Sequence, residues 1–177
     1  MIKLTDREKS ILDGREGSLK RVGLEFIVNY AEVLGAERLC DVTKAHLFAG
    51  AHHYMEACVS DDIDEVISEM LLCSQEKVSL DCFACYAQAD VGPTDPLRWQ
   101  ELGVSPERHS KNSVILEKYT KAGLYPMATC TPYLSGFLPR MGEHYVSTES
   151  HAVTLMNSLS GACATADGIE PAYCSAV

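Results

Sequence analysis

The chain has 177 residues, 46% hydrophobic and 23% charged, the composition of a globular domain with a real core rather than of a disordered segment. Its 15 Lys and Arg against 25 Asp and Glu leave a net charge of −10, which disfavours non-specific binding to nucleic acid or to an anionic membrane, both of the same sign. No apolar run approaches the roughly 18 residues of a membrane span, and MIKLTDREKS carries charges where a signal peptide has its apolar core.

Thr5 with Glu8 has capping-box spacing and opens a short helix that Gly14 can end. From Ser18 to Leu34, the residues Leu19, Val22, Leu24, Phe26, Ile27, Tyr30, Ala31 and Leu34 form a broad face at helical spacing, with Gly35 as its cap. Arg38–Val42 reads as a short strand, Asp61–Leu72 as a helix behind an acidic start, and Lys77–Ala84 as a second strand. Val91–Pro96, with two prolines and a glycine, marks a loop. Ser113–Ala122 reads as a helix with Val114, Ile115, Leu116 and Tyr119 inward, and Gly123 closes it. Leu124–Thr129 then reads as a third strand, residues 151–160 as a buried helix, and the apolar Pro171–Val177 as the start of another buried element. Alternating helices and strands predict a single α/β domain over residues 1–177, a largely parallel sheet flanked by helices.

A cytoplasmic setting is expected, and there the eight cysteines read as free thiols, buried small hydrophobes or metal ligands rather than disulfides. Cys82 and Cys85 form a C-x-x-C, but they lie in an apolar, strand-like run with no second ligand pair, so two buried free cysteines is the reading preferred over zinc or redox chemistry. His52, His53, Glu56 and Cys58 lack an indicated further ligand and read as structural. Trp99 reads as packing.

Cys130 has a different setting, at the expected C-terminal end of a strand and followed by Thr131-Pro132-Tyr133. Pro132 has no amide hydrogen and biases Thr131 away from helix, so the chain leaves the sheet at the edge where ligands bind in open parallel sheets. A thiolate there can hold iron or a cluster, and a buried structural cysteine is the equal alternative. Arg140, Glu143 and His144 follow in a glycine-containing loop, and Glu149-Ser150 precede the next helix. A carboxylate at that position serves as a cap, or it presents itself with nearby amides to a substrate. Asn157 and Ser158, polar within an apolar stretch, need partners if buried.

These residues carry a resemblance. Thr129-Cys130-Thr131-Pro132-Tyr133, Gly142-Glu143-His144, Glu149-Ser150-His151-Ala152-Val153 and Asn157-Ser158-Leu159-Ser160-Gly161-Ala162 resemble the ordered motifs of the aconitase X family, and Leu34–Leu39 with Asp41-Val42-Thr43 and Ala45-His46 extend the likeness over most of the chain. The resemblance implies a hydro-lyase that removes water from a small hydroxy acid, such as phosphomevalonate or cis-3-hydroxy-L-proline, with an iron–sulfur cluster as Lewis acid. It implies that Cys130 is one cluster ligand and that Arg140, Glu143, His144, Glu149, Ser150, Asn157 and Ser158 lie in or around the substrate pocket. It also implies that a small swivelling-domain subunit and a further C-terminal half complete the enzyme, because the family's large chain runs past Val177. Three departures stand against it: Cys163-Ala164 replaces the family's Arg-Thr, His151 replaces a small polar residue, and Val78–Cys85 matches only loosely. A non-catalytic remnant or scaffold that kept the fold is the alternative expectation.

Overall fold

The computed structural model describes residues 2–47, 80–86, 97–121, 123–127, 129–165 and 167–177. The expected helix Asp61–Leu72, the cluster His52, His53, Glu56 and Cys58, the loop Val91–Pro96 and the first part of the strand expected at Lys77–Ala84 lie outside the described residues. So do the side chains of Val114, Ile115, Leu116 and Tyr119.

Helix α1 spans Asp6–Leu12 behind a complete capping box, the Thr5 side chain accepting from the Glu8 amide and the Glu8 carboxylate from the Thr5 amide. Helix α2 spans Ser18–Val33. It ends in a Schellman turn: the Ala36 amide donates to Ala31 O and the Gly35 amide to Glu32 O, with Gly35 at a φ of 75° that only glycine adopts cheaply. Its apolar face is buried less completely than the sequence pattern predicts, since only Leu19, Gly23 and Ala31 are fully covered. At Gly23 the last helix of the chain approaches so closely that a Cβ would lie 3.0 Å from Val177 Cγ2.

Among the described residues the sheet has four strands, β1 (Lys44–Leu47), β2 (Phe83–Tyr86), β3 (His144–Ser147) and β4 (Cys163–Thr165), in the order β2-β1-β3-β4. All neighbouring pairs are parallel, with His46 beside Cys85 on one side and Ser147 on the other. The α/β class with a parallel sheet is therefore as the element order predicts. Helix α3 (Pro106–Lys121) starts well before the predicted Ser113, at a proline suited to a first helical turn. Helix α4 (Ser150–Leu155) follows β3 and continues as one π-helical turn over Met156–Ser160, and α5 (Ile169–Ala176) ends the described chain. No helix among the described residues is long and apolar enough to cross a membrane.

Several strand assignments move. Arg38–Val42 is not a strand, and pairing begins only at Lys44, because Ala45, His46 and Leu47 are the fully buried run of that segment. Among its described residues Leu124–Thr129 contributes only an isolated bridge, Tyr125 to Cys85: the Tyr125 amide donates to Ala84 O, but the next amide on that side, that of Met127, turns back to Tyr125 O. The glycine-containing loop expected around Glu143-His144 instead leads at once into β3, whose Tyr145, Val146 and Ser147 are all buried. Residues 151–160 are helical but not a buried helix, for only Ala152 and Met156 are covered. The apolar chain end does form a buried element, α5, with Pro171, Ala172, Tyr173, Cys174 and Ala176 inside.

The core beneath the β3–α4 layer joins Cys85, Phe137, Tyr145, Met156 and Ala162. Burial pushes the Cys85 and Cys174 thiols up to about 12 and that of Cys82 up to about 11. All three are therefore protonated and unreactive at neutral pH. Cys82 lies in the bend before β2, only partly buried and with Sγ 3.9 Å from Ala176 O, whereas Cys85 is fully buried in the cluster with Tyr145 and Met156, so of the two only Cys85 is the buried cysteine expected.

Candidate functional site

Strands β1 and β3 end side by side, and the segment 129–133 crosses in front of their C-terminal ends. Two contacts place it there. His46, the third residue of β1 and wholly buried, has Nε2 2.8 Å from the Thr129 carbonyl oxygen and Nδ1 3.2 Å from Ser147 Oγ. His151, in the first turn of α4, has Nε2 2.7 Å from the Cys130 carbonyl oxygen. The turn itself is tightened by Thr129 Oγ1, which accepts from the Thr131 amide at 3.1 Å. It then enters a 3-10 turn over Pro132–Ser135, and Tyr133 of that turn sets its ring against the His151 imidazole at 6.3 Å between centroids.

Cys130 is half-buried, and the Glu149 carboxylate lies near enough to act on its thiol. Burial first, and the adjacent carboxylate second, push the thiol above the ordinary cysteine range. Glu149 occupies the N-cap position of α4, yet its side chain makes no capping bond. The carboxylate is turned to the crevice instead, with Oε2 3.8 Å from His151 Nδ1. Its amide donates to Ser147 Oγ at 3.1 Å, which ties the β3–α4 turn to the same serine that His46 meets. Ser150 is exposed beside it, its carbonyl accepting from Thr154 Oγ1. Ser158 opens onto an exposed hollow on α4 that also takes in His151, Thr154, Leu155 and Leu159. A thiol, a carboxylate, an imidazole and hydroxyls thus gather at the sheet edge where open α/β folds bind ligands.

Other residues expected in the pocket are elsewhere. Arg140, Glu143 and His144 sit at the opposite edge of the sheet, because His144 begins β3 and Ser147 ends it, about 10 Å further on at the rise of an extended strand. Glu143 is engaged there: its Oε2 lies 2.8 Å from Lys44 Nζ and accepts from the Arg140 amide at 2.6 Å. Those two donors, Lys44 foremost, hold its carboxyl below the usual range. The polar side chains of residues 140–144 and Cys130 therefore do not converge. Cys163 starts β4 level with His144 at that same far edge, so the position where the family carries arginine does not border Cys130. Asn157 is also occupied structurally, with Nδ2 donating to Ala164 O and Oδ1 accepting from Ala164 N, both at 3.0 Å.

No group of three or more His, Cys, Asp or Glu among the described residues is placed to hold a metal ion. Cys130 supplies one soft, accessible donor, which fits a single ligand of a cluster and not a complete site. His46, Ser147 and Thr129 belong to this edge although the motifs assign none of them to the pocket. The available signal was physical: a histidine inside the apolar run Ala45-His46-Leu47 must find partners once buried.

The family model described as "Aconitase X first domain" matches residues 1–177. The chain belongs to the aconitase X family. It is 30% identical over 174 residues to a phosphomevalonate dehydratase large subunit of Methanocaldococcus jannaschii, covering 98% of this chain and 41% of that protein. It is 26% identical over 160 residues to a cis-3-hydroxy-L-proline dehydratase of Pseudomonas aeruginosa, covering 88% of this chain and 25% of that protein. The crystal structure of Thermococcus kodakaraensis aconitase X in its holo-form superposes with a TM-score of 0.75 at 26% identity, over 99% of this chain and 41% of that one. This aconitase X chain thus spans less than half the length of the relatives it matches.

Proposed function

We propose that the chain, as one domain over residues 1–177, is the N-terminal portion of the catalytic subunit of a cytoplasmic iron–sulfur hydro-lyase. Its substrate is a small hydroxy acid of the kind handled by its relatives, which are named for phosphomevalonate and cis-3-hydroxy-L-proline. The observation that carries the reading is the placement of the half-exposed Cys130 thiol against the Glu149 carboxylate at the C-terminal edge of a parallel sheet. Cys130 would serve as one cluster ligand, the other cysteines coming from further chain or a partner such as a small swivelling-domain subunit. A bound cluster supplies a Lewis-acidic iron for the departing hydroxyl. The chain's own contribution is to hold the substrate beside it: Glu149 and Ser150 at the mouth of the crevice offer a carboxylate and a hydroxyl, with Ser158 in the π-helical turn that continues α4. Glu149 is also a group on this edge able to accept a proton from the carbon next to the leaving group.

The missing arginine is one ground for a non-catalytic remnant, but Cys163 lies at the edge away from Cys130. Loss of a cation there leaves the thiol–carboxylate pair intact.

The test is anaerobic co-expression of the chain with the products of its neighbouring genes, followed by iron and sulfide analysis and assays of dehydration of both candidate substrates. Iron bound to the complex and lost with Cys130→Ser, together with turnover of one substrate, is expected. A complex that holds no iron and dehydrates neither compound overturns the proposal.

A further inference from the structure

We infer that His46 is a positioning residue, one neutral imidazole that orients the two peptide planes carrying Cys130 and Glu149. The ring is completely buried in the central strand β1, so both of its nitrogens require partners. A carbonyl oxygen only accepts, so the nitrogen 2.8 Å from Thr129 O carries the hydrogen, and the ring is the Nε2–H tautomer. Nδ1 is then an acceptor, and the one hydrogen of the Ser147 hydroxyl goes to it at 3.2 Å rather than to Glu149 O at 3.4 Å. The same hydroxyl oxygen accepts the Glu149 amide at 3.1 Å.

The acceptor on one side is the carbonyl of the peptide that joins Thr129 to Cys130. Because a peptide is planar, fixing the direction of that carbonyl fixes the amide and the Cα of Cys130, the point from which the thiol side chain departs. The donor on the other side is the amide of the peptide that enters Glu149, fixed in the same way through Ser147. A single ring therefore spans three segments far apart in the chain: β1, the turn before Cys130, and the turn between β3 and α4. An aliphatic residue at position 46 would pack equally well in the strand but would leave the Thr129 carbonyl without its donor.

The test reads Cys130 in the chain itself, reduced and metal-free, so its outcome does not depend on dehydratase activity. Iodoacetamide alkylation is followed at each cysteine by mass spectrometry, alongside circular dichroism. His46→Asn places its amide near Nδ1 and is too short for Thr129, whereas His46→Gln reaches the position of Nε2. His46→Asn is expected to accelerate alkylation of Cys130 by about threefold to tenfold, the factor equivalent to one ordinary hydrogen bond, while the buried Cys85 and Cys174 stay protected. His46→Gln is expected to restore the parent rate to within about twofold. An unchanged Cys130 rate in folded His46→Asn overturns the inference. So does parallel acceleration at Cys85 and Cys174, which would mark general loosening, or a His46→Gln rate equal to that of His46→Asn. If His46→Asn does not fold, Ser147→Ala decides: selective acceleration of Cys130 supports the role, and an unchanged rate overturns it.

Discussion

Asn157 offers a direct trial of the reasoning, because its motif suggests substrate contact while its geometry suggests a structural task. Its side-chain amide makes a two-point clamp on the backbone of Ala164, at 3.0 Å to both the amide and the carbonyl. Ala164 is the middle residue of β4, a three-residue strand that is last in the sheet order. The clamp thus supplies, over one residue, the pairing that a further strand would provide. Each bond contributes about 0.5–1.5 kcal/mol net, and exposure of Asn157 places both near the lower half, for about 1–2 kcal/mol together. In a chain of this size that corresponds to a melting point lower by about 2–8 °C in Asn157→Ala. Asn157→Asp is the sharper variant. It keeps an acceptor for the Ala164 amide but sets an oxygen against the Ala164 carbonyl, so it should lose at least as much stability. Urea unfolding followed by circular dichroism measures both. If Asn157→Ala stays within about 0.5 kcal/mol of the parent, the ordinary spread of surface substitutions, or if Asn157→Asp is fully stable, the clamp is not what holds β4.

Three further outcomes are expected. Because the Glu149 carboxylate, after burial, helps to push the Cys130 thiol up, Glu149→Gln should shift the pH profile of Cys130 alkylation to lower pH and raise the rate at neutrality; an unmoved profile refutes the pairing. Burial holds His46 below the ordinary histidine value, with His151 acting in the same direction and the Thr129 carbonyl and Glu149 against it. The unfolded chain therefore takes up a proton that the folded one resists as pH falls below about 6.5, so stability is lost in that direction. His46→Gln should show a shallower loss between about pH 7 and about pH 5 than the parent, and identical slopes would contradict the assignment. Gly23→Leu should destabilise by about 2–3 kcal/mol, since even a Cβ there meets Val177 Cγ2 at 3.0 Å and Cys174 O at 3.4 Å; a melting point equal to the parent's would show that α5 yields freely.

What the amino-acid order determined by itself was local. The capping box at Thr5 and Glu8, the glycine turn after α2 and the apolar chain end each depend on residues within a few positions of one another, and each stands as the pattern predicts. Cys130 is expected at the end of a strand over Leu124–Thr129 that does not form; it reaches the sheet edge instead through the carbonyls of Thr129 and Cys130, held by His46 and His151. Only the tertiary structure decided which end of the sheet each polar group occupies. Residues 140–144 and 149–151 are close in sequence, but one buried strand between them carries the first group to the far edge and leaves the second at the crevice. Strand limits escaped for the same reason: Lys44 meets Glu143 from 99 residues away, and Tyr125 meets Cys85 in a single bridge before the Met127 amide turns back to Tyr125 O. Pairing across such distances depends on which backbones lie side by side, and no short window of sequence contains that information. His46 is the clearest case, a histidine in an apolar triplet whose partners Thr129 and Ser147 lie 83 and 101 residues further along the chain.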